Sequence, residues 1–320
     1  MSDAAEARLA AGDPRGALEA LAERVRARPA DVGARVFLFQ LLAVNGEWRR
    51  AAKQLDVAAG LDDGTRLMAQ TCRELLRCEL LREAVFEGRR APLVLGEPPE
   101  WLAPLVRALP LAASGDGGGA AALAAEAFER AAARGGRLTL ASDESGETLP
   151  FEWIGDADMR LGPVLEVIID GKYYWVPFER IDALEIEPPA DLRDLVWTPV
   201  ELVLAGGGSR VGFVPTRYPE IGPVDVPDPP SPEHLLARRS DWLDLGGGYF
   251  VGRGQRVLAS SAGEHALLEC RSLRLAGTDG GMAGDASEGP SDGPSDVTSG
   301  ATSDDAGGAA DDGGGSTPRR

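Results

Sequence analysis

Lysine occurs only at positions 53 and 172, asparagine only at 45, and histidine only at 234 and 265 in this chain of 320 residues. With two histidines, a Ser–His–acid triad has almost nothing to draw on, and neither histidine has a second at metal-ligand spacing. His234 falls in a short helical pattern, SPEHLLARRSDW, and His265 beside Glu264 in a turn; both read as ordinary surface or half-buried side chains. Cys72, Cys78 and Cys270 are an odd number without C-x-x-C spacing, which argues against a disulfide framework and a zinc site. No apolar run approaches the roughly 18 residues that span a bilayer, and residues 1–13 carry acids and lack the apolar core of a signal peptide. The expected setting is therefore soluble and cytoplasmic.

Basic charge is also scarce. The chain has 33 Lys and Arg against 51 Asp and Glu, a net −18. Nucleic-acid binding needs clustered cations to neutralise phosphate, and polybasic membrane association needs the same; neither is expected here. The arginine pairs at 49–50, 89–90 and 238–239 are too short to form a basic run and read as solvated faces. Phosphate-cradling motifs are missing too. There is no G-x-x-x-x-G-K-[ST], and Gly252-Arg253-Gly254 lacks the third glycine of a dinucleotide fingerprint. No nucleotide site and no cofactor are expected.

What is present divides the chain in three. Residues 276–320 hold 12 Gly, nine acids and two Arg, a net −7, with Met282 and Val297 as the apolar residues larger than alanine. Such a segment cannot bury enough surface to offset chain entropy, and a disordered acidic tail is predicted. Residues 1–136 are rich in Ala, Leu, Glu and Arg, with Gly and Pro at the joints, and read as helical. Residues 137–275 turn to Val, Ile, Tyr, Trp and Phe in short bounded runs, the pattern of a β-rich domain. The fold class is α+β.

The helical part repeats. Gly12, Asp13, Ala17 and Leu21 recur 34 residues later as Gly46, Glu47, Ala51 and Leu55. A period of 34 is that of tetratricopeptide helix pairs: glycine closes the first helix, an acid caps the second, a small alanine admits close crossing and leucine fills the seam. One more step predicts a helix over 65–79, with a degenerate partner over 80–86; further helices are expected over 99–111 and 120–134. In this register Val36, Gln40 and Ala43, then Leu67, Gln70, Glu74 and Arg77, line the concave face. Their mixed apolar and polar character suits an amphipathic helix laid in a groove.

In the β part, Asp170-Gly171 between apolar strands predicts a type I′ hairpin over 164–176. Strand alternation places Tyr173 and Trp175 on one face and Tyr174 on the other. A second hairpin is expected across Gly206–Gly208, with further strands over 149–154, 181–186, 255–259 and 266–273. So many short strands predict a small barrel-like closure. Asp156, Asp158 and Glu166 lie near one another in sequence and could bind a cation or act as acid and base, and GDADMRLG equally suits a capped turn.

Several long segments resemble the ImpE/TagJ family of bacterial type VI secretion accessory proteins. They are RVFLFQLLAVNGEWRRAAKQLDVAA (35–59), PLVLGEPPEWL (92–102), RLGPVLEVIIDGKYYWVPFERI (160–181), PPADLRDLVW (188–197) and VPTRYP (214–219). The resemblance runs over about residues 7–274 and leaves the tail aside. It implies a tetratricopeptide-like helical domain followed by a β-rich domain, no enzymatic activity, and association with the contractile sheath through a helix near the N-terminus of the small sheath subunit. It assigns no contact residues; the concave positions above come from repeat geometry. Two further readings stay open, an enzyme using Asp156, Asp158 or Glu166 and a general scaffold for secretion components. Truncation after Leu275 is expected to leave the melting temperature within a few degrees of the full chain; loss of cooperative unfolding would make the tail part of the fold.

Overall fold

The 34-residue spacing has a direct structural counterpart in helices α1 (Ala4–Ala10), α2 (Pro14–Ala27), α3 (Val32–Val44) and α4 (Trp48–Leu61). Gly12 and Gly46 follow α1 and α3 at φ of 80° and 74°, a conformation in which a Cβ is strained. Ala17, Ala51, Leu21 and Leu55 are all fully buried. The caps differ. The Asp13 carboxylate accepts the Gly16 N–H at 2.8 Å, whereas Glu47 makes no cap bond and pairs with Arg50. The computed structural model describes residues 4–141, 147–220 and 228–277, so the expectation of a disordered tail over 276–320 lies outside the described residues from 278 onward.

The expected third helix and its degenerate partner are one helix, α5 (Arg66–Phe86), of 21 residues. No Gly or Pro stands within it, and its Leu, Arg, Glu and Ala all favour continuation. Helices α6 (Leu102–Ala113) and α7 (Gly117–Arg130) follow, the latter capped by Asp116, which accepts the Gly119 N–H at 2.9 Å.

The strands are β1 (Leu93–Val94), β2 (Gly136–Leu140), β3 (Thr148–Phe151), β4 (Ile154–Asp156), β5 (Val164–Ile169), β6 (Lys172–Pro177), β7 (Ile181–Ile186), β8 (Trp197–Leu204) and β9 (Ser209–Pro215). After a one-turn helix α8 (Pro232–Leu235) come β10 (Ser240–Asp244), β11 (Phe250–Gly254), β12 (Val257–Ser260), β13 (Gly263–Ala266) and β14 (Cys270–Leu275). Among the described residues nine strands form one sheet in the order β1-β6-β5-β9-β8-β7-β14-β2-β3. Only β1 runs parallel to its neighbour. The expectation of a barrel needs correction, because β1 and β3 end the order without pairing with each other. β1 has two residues, and β3 contains Pro150, which has no N–H for a ladder, so neither end is built to close the sheet. The small sheets β10-β11 and β13-β12-β4 stand apart from it; His265, expected in a turn, lies in β13.

The hairpin joining β5 to β6 turns at Asp170 and Gly171, with φ of 50° and 68° as type I′ requires. It also serves two cores. Tyr173 and Trp175 are fully buried with Leu41, Leu76 and Phe86 of the helices. Tyr174 faces the other way and packs, half-buried, against the cluster that holds Val167, Leu184 and Leu273. Helices and sheet thus share one apolar layer, and the sheet's other face holds a second.

Gly171→Val is expected to lower stability in denaturant titration by about 1 kcal/mol or more, since a β-branched residue is strained at positive φ. Unchanged stability would place the turn elsewhere. Trp175→Ala is expected to cost roughly 3–5 kcal/mol; a fully stable variant would show the ring contributes nothing to either core.

Candidate functional site

The sequence holds Asp156, Asp158 and Glu166 within eleven residues, and folding brings all three together in the interior with arginines that the sequence reading did not single out. Glu166 is on β5, facing the helices. Its Oε1 accepts from Arg82 Nε at 2.7 Å and from the Tyr173 hydroxyl at 2.5 Å. Its Oε2 accepts from Arg82 Nη2 at 2.9 Å and from Arg256 Nη2. Arg82 comes from α5 and Arg256 from the link between β11 and β12. Arg256 also reaches Asp156, whose other oxygen accepts from the Tyr218 hydroxyl at 2.9 Å. Asp158 is held by Arg160 through Nε at 2.9 Å and Nη2 at 2.5 Å, and by the Gly252 N–H at 2.7 Å. The network reaches on to Glu79 of α5, which accepts from Arg82 and from Trp197 Nε1 at 2.9 Å. The Arg82 and Arg160 guanidinium carbons both lie over the Phe86 ring, 5.7 and 4.9 Å from its centroid.

Every member of this network is buried. For Glu166, burial alone would raise the pKa, but Arg82 and Arg256 outweigh it and hold the carboxyl down at about 2. For Asp156, burial wins over Arg256, with help from the neighbouring Asp158 charge, and pushes it up to about 6. The three carboxylates are therefore committed to guanidiniums and hydroxyls. They make a charged core that locks α5 to the sheet.

His234 also has structural partners. His234 Nδ1 accepts the Ser231 N–H at 3.1 Å in a capping box at α8, and Nε2 faces Asp241 at 2.9 Å. Among the described residues no group of three or more His, Cys, Asp or Glu is placed to hold a metal ion. No helix among them is long and apolar enough to cross a membrane.

The concave-face positions fall in different environments. Val36 and Gln40 are half-buried on α3, and Ala43 is fully buried, so it packs the core. On α5, Leu67 is 78% exposed, Gln70 and Arg77 are exposed, and Glu74 is half-buried. The Glu74 side chain lies against Gly171, where a Cβ would come within 2.5 Å of its carboxylate. An apolar groove that the sequence did not reveal runs beside Leu67. It has a volume of about 380 Å³ and is lined by Leu67, Met68 and Leu75 of α5 with Trp197, Pro199 and Phe213 of the β8–β9 hairpin. Helical spacing of Leu67 and Leu75 hints at one wall; the other comes from strands about 130 residues away.

Residues 148–274 match the ImpE protein family. Over 275 residues the chain is 47% identical to the type VI secretion system accessory component TagJ of Pseudomonas aeruginosa, covering 86% of this chain and 92% of that protein. Its fold is similar to the crystal structure of protein VPA1032 from Vibrio parahaemolyticus, with a TM-score of 0.74 at 27% identity over 85% of this chain and 97% of that one.

Glu166→Gln leaves two buried guanidiniums short of a counter-charge and is expected to cost about 3–5 kcal/mol. The pH dependence carries a distinct sign. Because the Glu166 pKa is lowered from 4.5 to about 2 on folding, its contribution is full above pH 4.5 and is lost as pH falls through about 2. Asp156 acts oppositely, since its raised pKa makes stability fall as pH rises from 3.8 toward 6. The stability difference between wild type and Glu166→Gln should therefore shrink below pH 4.5 in denaturant titrations at stepped pH; a difference that stays constant down to pH 2 would show that Glu166 is not held ionised.

Proposed function

The chain belongs to the ImpE/TagJ family, and from that membership we infer that it is a non-enzymatic, cytoplasmic accessory protein of a bacterial type VI secretion system. In this reading it binds a helix near the N-terminus of the small contractile-sheath subunit and modulates sheath assembly or recycling. The observation that carries the accessory role is the 47% identity to TagJ over most of both chains. The tetratricopeptide-like character of the helices is part of the same proposal, supported by the 34-residue offset of α2 and α4 and their matched glycines.

The partner helix is assigned to the face carrying Val36 and Gln40 of α3 with Leu67, Gln70, Glu74 and Arg77 of α5. Leu67 and Val36 would touch its apolar stripe. Gln40, Gln70, Glu74 and Arg77 would bond its polar edge, an arrangement that suits helix-in-groove recognition. Ala43, the remaining position of that register, is fully buried. An enzyme acting through Asp156, Asp158 or Glu166 has less behind it, because each carboxylate is buried and paired with arginine.

Calorimetric titration of the full chain with a peptide of the small sheath subunit's N-terminal helix is expected to give micromolar or tighter affinity, part of the gross interaction energy being lost in ordering the peptide. The double variant Gln70→Ala, Arg77→Glu should weaken it by about tenfold or more, roughly 1.4 kcal/mol. Unchanged affinity in the double variant would move the site off α5. No binding by the wild-type chain, with capture of other secretion components instead, would favour the general scaffold.

A further inference from the structure

We draw no further inference here: the strongest candidate, the apolar groove between the first half of α5 and the helix-facing side of the β8–β9 hairpin, is an unpartnered face, and nothing in the structure shows what covers it.

Discussion

Two arginines from distant parts of the chain meet on one carboxylate, and the junction of helices and sheet depends on that meeting. Arg82 and Arg256 both bond Glu166, with the Tyr173 hydroxyl as a further donor. Moving charged groups out of water is costly, and the cost is recovered only when each charge finds a counter-charge and its remaining donors find acceptors. That condition is met here. Arg82 binds Glu166 through two nitrogens, bonds Glu79, and donates to the Arg217 carbonyl at 2.8 Å. Arg256 spends its third donor on the Pro215 carbonyl at 2.9 Å. The planar fork of arginine suits such multiple pairing better than lysine's point charge.

This arrangement restricts the packing of α5 in a way apolar contacts alone do not. A helix on a sheet can slide by a small amount and still bury its leucines, because apolar attraction has little direction. A shift that separates Arg82 from Glu166 leaves uncompensated charges in the interior. The ion pair therefore selects one position of α5 along β5 and β6, with Trp175 fixed beside it through its Nε1–H bond to Tyr173 at 2.6 Å. The consequence reaches the opposite end of the same helix. Leu67, beside the β8–β9 hairpin, stands on the same helix that Glu79 and Arg82 anchor. One helix thus joins the proposed partner face to the charged core.

Much of the architecture was legible before folding because it depends on local rules. The 34-residue offset needed only the sequence positions of Gly12, Ala17 and Leu21 and their counterparts, and Asp170-Gly171 announced its turn through backbone sterics. The alternation of Tyr173, Tyr174 and Trp175 assigned each ring to its face. Local rules also misled. The repeat arithmetic divided α5 where no residue breaks a helix, and it set Ala43 on the concave face although Ala43 is fully buried. Strand counting suggested closure, but closure depends on what the two edge strands can pair with, and Pro150 and the two-residue β1 leave both ends open.

The sequence by itself determined the helical and β-rich halves, the repeat, the hairpin turn, and the family, since these rest on propensity, periodicity and contiguous motifs. Only tertiary structure decided what the charged residues do. In the sequence Arg82 is one more cation in a helix of alternating charge, and Asp156, Asp158 and Glu166 look like candidates for chemistry. Their partners lie 84 residues away in the case of Arg82 and Glu166, and 100 in that of Asp156 and Arg256. Asp158 and Arg160 pair two residues apart, but the long-range pairs depend on distance in space and on exclusion of water, which no local pattern encodes.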